Sequence, residues 1–176
     1  MFVAKQQSAF SGFAYDFFDA DDSKIGTLHW PDFAEATNAR LKNLLPGFLS
    51  TKIEINYDGH DYQIVFEYLT RDWNNDVRFV LKDGDAVLAS ADVVRVKKFF
   101  GRHTIMILQP FTGKVSKRST FFATRYEVII DGAVIGTLAE KAMLTLKRKL
   151  SINLPGSISL PVQFFIFFLV CNHAYR

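Results

Sequence analysis

The sequence predicts a mainly β fold: an antiparallel barrel of about twelve strands enclosing a hydrophobic C-terminal helix. Three observations lead there. Asp58-Gly59, Asp83-Gly84 and Asp131-Gly132 stand between alternating segments, and Asp-Gly favours the left-handed positions of a tight hairpin turn. Leu144, Leu146, Leu150, Ile152 and Leu154 sit at even positions against Thr145, Lys147, Lys149, Ser151 and Asn153 at odd ones. That is the period-2 signature of a half-buried strand, with Arg148 its single violation. Finally, Leu160 to Cys171 contains one polar side chain, Gln163.

Residues 1–12 read as an N-terminal extension and 13–176 as one domain. Within it, Ala14–Phe18 and Lys24–His29 are the first strand candidates, followed by Phe33–Leu41. Lys52–Tyr57 alternates into the first Asp-Gly turn, and Tyr62–Tyr68 returns. Val77, Phe79 and Leu81 share one face before the second turn, and Ala86–Ala91 returns. Val93–Lys98, His103–Gln109 and Thr120–Thr124 are further candidates. Tyr126–Ile130 runs into the third turn and Val134–Leu138 comes back. Many short strands at close spacing argue a sandwich or barrel.

The last apolar run reads as a helix over about 160–175, with Ser159 as N-cap and Pro161 in its first turn. The twelve residues from Leu160 to Cys171 span about 18 Å as a helix, against about 30 Å for a bilayer core. The run therefore reads as a buried core helix, with a membrane tail anchor as the alternative. A barrel of about twelve strands has a lumen too wide for its wall side chains to fill. A helix apolar on every side must be buried all round. A barrel threaded by its own last helix satisfies both conditions.

Ile25-Gly-Thr-Leu28 recurs as Ile135-Gly-Thr-Leu138, each after a Tyr-acidic strand and an Asp-containing turn. This suggests two similar halves. The segment Tyr126–Leu138, followed by Leu160-Pro-Val-Gln-Phe-Phe-Ile-Phe-Phe-Leu-Val170, resembles the tubby C-terminal-like superfold, and Tyr15–Leu28 fits the same strand-turn-strand pattern. That superfold includes the phospholipid scramblases and the plant LURP-one-related proteins. The resemblance covers about residues 13–175 and implies a twelve-stranded barrel around a central hydrophobic helix. It also implies phosphoinositide binding through basic residues on the barrel, as in tubby proteins. A Pro-rich N-terminal arm and a cysteine cluster for palmitoylation, both scramblase features, are missing, so scrambling is not implied.

Composition narrows the function. Of 176 residues, 49% are hydrophobic and 22% charged, which excludes a disordered chain. Phenylalanine supplies 18 of the residues, and rings without a polar handle need a dry environment. Cys171 is the only cysteine, so no internal disulfide forms and a reducing, cytoplasmic setting is expected. The N-terminal residues lack the h-region of a signal peptide. Buried in the most apolar stretch, Cys171 should be neutral and inert.

No catalytic signature is present: G-x-S-x-G, Walker A, G-x-G-x-x-G and H-E-x-x-H are all missing. An EF-hand starting at Asp19 would need Gly and Glu where Lys24 and Trp30 stand, so the acidic cluster reads as a solvated turn. His29, His60, His103 and His173 form no zinc pattern. Gly26 and Gly136 mark bulges or close packing. No catalytic residue, cofactor or metal is expected.

The charge is uneven. Residues 1–88 carry a net −6 and residues 89–176 a net +9. The basic residues gather at Arg95, Lys97, Lys98 and Arg102, at Lys114, Lys117 and Arg118, and at Lys147, Arg148 and Lys149. Solvated strand faces carry lysine for solubility and edge protection, which is the plainer account. The functional account is an anion site. It predicts a non-enzymatic binding module associating peripherally with anionic phospholipid headgroups, or with a protein partner, through Lys97, Lys98, Arg102, Lys147, Arg148 and Lys149. A nucleic-acid-binding or regulatory module using the same patch is the alternative. Only Phe99 and Phe100 interleave with those cations, which gives little basis for base stacking.

Overall fold

The computed structural model describes residues 1–8, 13–31, 52–70, 76–95, 103–119, 124–140 and 148–174. Strands β1 (Phe2–Gln6), β2 (Phe13–Phe18), β3 (Lys24–Trp30), β4 (Ile53–Tyr57), β5 (His60–Tyr68) and β6 (Val77–Asp83) form the first half. Strands β7 (Ala86–Arg95), β8 (His103–Gln109), β9 (Gly113–Ser119), β10 (Thr124–Ile130), β11 (Ala133–Glu140) and β12 (Lys149–Asn153) form the second. Helix α1 (Leu160–Ala174) follows. Each strand pairs antiparallel with its neighbours in sequence, and β1 pairs with β12, so the twelve strands close into a barrel. The predicted fold class is the one observed.

Several elements differ from the sequence reading. Residues 1–12 are not outside the barrel: Phe2–Gln6 form the closing strand, with Phe2 opposite Ile152 and Lys5 opposite Lys149. Strand β9 is new, because Val115 is its one strongly buried apolar residue and alternation is invisible there. The candidates Ala86–Ala91 and Val93–Lys98 are one strand, β7, continuous to Arg95. Its Asp92 points outward and is held by Arg78. The candidate Phe33–Leu41 lies outside the described residues, as do 120–123 of Thr120–Thr124.

The Asp-Gly turns form for the expected reason. Asp58 and Gly59 have φ of 53° and 73°, and Asp131 and Gly132 have 48° and 81°. Both central positions are left-handed, as the tightest hairpin turn requires. In the second hairpin β6 continues through Asp83, and the turn is Gly84-Asp85.

The internal repeat is a bulge. In β2–β3, Phe17 faces Gly26 and Phe18 faces Lys24, leaving Ile25 as the extra residue. In β10–β11, Val128 faces Gly136 and Ile129 faces Val134, leaving Ile135 extra. A bulge bends its strand and sharpens the local twist, which helps a sheet close. The two copies of Ile-Gly-Thr-Leu are two equivalent corners of the wall.

Every described side chain of α1 from Pro161 to Asn172 is buried. Phe164 stacks on Phe17 at 4.0 Å and meets Phe2 edge-on at 5.1 Å. Phe167 meets Tyr15, and Phe168 meets Phe13, Trp30 and Phe79. With Phe165 also buried, these rings fill the lumen around the helix. Gln163 is accommodated because its amide donates to the carbonyls of Ile158 at 2.7 Å and Pro155 at 3.3 Å. It ties the helix start to the loop that enters the barrel. Among the described residues, no helix is long and apolar enough to cross a membrane.

Candidate functional site

An even-stranded meander sorts its connections into two sets, one at each end of the barrel. One set is tight: residues 19–23, 58–59, 84–85, 110–112, 131–132 and the 154–159 loop into α1. These contain six Asp and no Lys or Arg. The other set comprises 7–12, 31–52, 69–76, 96–102, 120–123 and 141–148. These contain ten Lys or Arg against four Asp or Glu, and eight Phe or Trp against one in the tight set. The strand ends at this second rim surround the C-terminus of α1, whose free carbonyls carry partial negative charge and favour nearby cations.

The expected site residues fall as follows. Lys97, Lys98 and Arg102 belong to the β7–β8 connection and Lys147 to the β11–β12 connection; all four lie outside the described residues. Those two connections leave strands at the same rim. Arg148 enters β12 and is engaged: its guanidinium donates to Glu140 at 2.6 and 2.9 Å. Its backbone N–H donates to the Gln6 side chain, and its carbonyl accepts from the Gln6 N–H. This explains why Arg148 breaks the strand alternation. It stands just before β12 and clasps β11 to β1 at the seam of the barrel. Lys149 lies on the outer wall opposite Lys5. Lys5 donates to Asp22 at 2.6 Å and lies 4.0 Å over the Phe18 ring. Its hydrogen bond and charge, with a smaller contribution from Lys149, hold the Asp22 carboxyl below its ordinary range.

Two further arginines lie on the described basic surface. Arg118, near the end of β9, lies directly opposite Arg125, near the start of β10, and both are exposed at the long-connection rim. The sequence marks Arg118 within a basic cluster. Arg125 escapes a linear reading because only the β9–β10 register brings the two together. The Lys117 ammonium lies 5.9 Å over the Tyr126 ring. Lys114 is exposed farther down the same strand.

The remaining candidates for chemistry are structural. Asp19 accepts from the Asp21 and Ser23 N–H groups and Asp22 from Lys5, so these acidic residues are engaged in the turn and its neighbouring strand. No group of three potential metal ligands occurs among the described residues. Burial pushes the Cys171 thiol up to about 12, so it stays neutral, as the sequence suggested. A Cβ on Gly26 or Gly136 would strike the backbone of the next strand, confirming close packing at both. Comparison of the chain with family models, with curated proteins and with solved structures finds no match.

Proposed function

We propose that the protein is a non-enzymatic binding module that associates peripherally with anionic, phosphoinositide-type membrane lipid through its long-connection rim. The observation that carries this reading is the charge composition of the connections: those joining strands at one rim carry a net +6 and those at the other a net −6. Lys97, Lys98, Arg102 and Lys147 belong to the basic set. Each basic residue near an anionic surface contributes about 1 kcal/mol, falling off within a Debye length of about 8 Å. The connections that carry these cations join strands at one end of the barrel, whereas the acidic turns join strands at the other. The Phe and Trp residues in the same connections supply apolar side chains suited to the headgroup boundary. Arg148 contributes least, being committed to Glu140.

Vesicle flotation tests the reading. Co-flotation with anionic vesicles at low salt, weakening at high salt, is the expected result, with none on neutral phosphatidylcholine. Indifference to anionic lipid at both salts sinks it. Salt-dependent retention of nucleic acid without vesicle binding would favour the nucleic-acid alternative.

A further inference from the structure

Four arginines have described side chains: Arg78, Arg118, Arg125 and Arg148. Two have a carboxylate of their own in a close fork. Arg78 donates to Asp92 at 2.7 and 3.0 Å, and Arg148 to Glu140 at 2.6 and 2.9 Å. Those lengths are typical of charge-assisted pairs.

Arg118 and Arg125 differ. They stand directly opposite each other on neighbouring strands, where like charges destabilise a sheet. They share one carboxylate, Glu127, at 3.4 and 4.0 Å, both longer than a close charge-assisted bond. Their side chains are 69% and 56% exposed, whereas Glu127 is 18% exposed and sits low between them. The neighbours in register beyond Arg125 are Ala139 and then Ser151, both small. The Ser151 hydroxyl is turned down to the Ala139 carbonyl. The result is two under-neutralised guanidinium groups above a low floor, open to solvent. A fold that gives Arg78 and Arg148 private partners leaves this pair short of negative charge.

We propose that Arg118 and Arg125 form a clamp for a dianionic phosphate monoester, which supplies the second negative group that Glu127 alone does not. Two planar forks on adjacent strands match the oxygens of a single phosphoryl group. A lipid headgroup and a free phosphate present the same chemistry, and the test distinguishes them. The lipid source rests on the membrane reading above; the clamp does not. Glu127 opposes the ligand by occupying the inner side of both guanidinium groups.

The test uses the intact protein and the single variants Arg118→Gln, Arg125→Gln, Glu127→Gln and Lys114→Gln. Each is titrated with inorganic phosphate at constant ionic strength. Each is also floated with phosphatidylcholine vesicles containing either a phosphatidylinositol monophosphate or phosphatidylserine, which offers no monoester. Lys114 is the charge control: it lies four residues down β9 from Arg118, about 13 Å away at 3.3 Å per residue. Loss of either arginine should weaken phosphate binding by about tenfold, the scale of a lost charge-assisted bond. Lys114→Gln should change it by less than about twofold, since the distance exceeds the Debye length. Glu127→Gln should tighten binding.

Equal weakening by Lys114→Gln and Arg125→Gln overturns the clamp and leaves only diffuse charge. Absence of wild-type phosphate binding also overturns it. Arginine-dependent phosphate binding without flotation on either vesicle upholds the clamp and removes the membrane reading. Flotation and phosphate binding that neither arginine variant weakens overturn the clamp and leave the membrane reading standing. All four variants replace exposed or half-buried wall side chains, and an unchanged circular dichroism spectrum verifies the fold. A double Arg118→Lys, Arg125→Lys variant keeps the charge and loses the forks, and it should bind phosphate as weakly as the Gln variants.

Discussion

Replacing Gly136 with alanine tests whether the repeated bulge is a packing requirement of the barrel. A Cβ at Gly136 would lie 2.6 Å from the Asn153 carbonyl oxygen and 3.1 Å from the Leu154 Cα. These are backbone atoms of the chain leaving β12, so no rotamer change relieves the contact. The strands must separate where Thr137 pairs with Asn153. Overpacking of this kind costs about 1–3 kcal/mol. Alanine recovers about 0.4–1 kcal/mol by restricting the unfolded chain. The net loss is then about 1–2 kcal/mol, or about 2–8 °C in Tm for a domain this size. Gly156 is the matched control, because a Cβ there meets nothing within 4 Å. Gly156→Ala should be neutral or stabilising by up to about 1 kcal/mol. Urea and thermal unfolding of both variants measure the difference. If Gly136→Ala proves no less stable than Gly156→Ala, the repeat is not a device for close strand approach.

The helix entry makes a second prediction. Gln163→Leu strips the Ile158 carbonyl of its side-chain donor and leaves Pro155 only the Ile158 N–H, and it should cost about 1–3 kcal/mol in urea unfolding even though it makes the helix more apolar. Stability equal to wild type would mean that the loop needs no tie. Cys171 supplies a third. Its thiol should resist a thiol reagent at neutral pH until the barrel unfolds. Because the folded value is raised, the native state holds the proton after the unfolded state has released it. Stability should therefore be intact below the ordinary thiol range and should fall as pH rises from there toward about 12. A Cys171→Ala variant, compared by urea midpoint across that range, should lack this component. A parallel decline in both proteins would assign the slope elsewhere.

Legibility in the sequence followed the range of the interaction concerned. The Asp-Gly turns and the helix were readable because their causes are local: left-handed φ values and an apolar run broken only by Gln163. Strand β1 was not. Phe2, Ala4 and Gln6 face inward, but five residues ending in an inward glutamine carry little pattern. What makes them a strand is β12, nearly the whole chain away, with Arg148 satisfying Gln6 at the seam. Strand β9 was hidden for a related reason, since Lys, Arg and Ser supply most of its length. The candidate site divides the same way. A linear reading found the basic clusters around Lys97, Lys147 and Arg118. It could not see that Glu140 takes up Arg148, nor that Arg125 lies opposite Arg118, because both depend on register.

The two rims do not weigh equally in the functional argument. Aspartate at the tight rim has a local explanation: Asp22, Asp58 and Asp131 all occupy positive φ, which Asp tolerates better than most residues. The −6 is then partly a by-product of building short hairpins. No turn chemistry demands ten Lys or Arg at the opposite rim, so the functional inference rests there alone. This distinction is testable, because Asn tolerates the same backbone while removing the charge. From Arg125 to Asp131 is six residues along β10, or about 20 Å at 3.4 Å per residue. That is more than twice the Debye length of about 8 Å at physiological salt. An Asp58→Asn, Asp131→Asn double variant should therefore float with anionic vesicles nearly as wild type does at that salt. It should gain affinity only when salt is lowered until screening no longer separates the rims. A large gain at physiological salt would mean that net charge, rather than the basic rim, drives adsorption, and the end-on reading would fall.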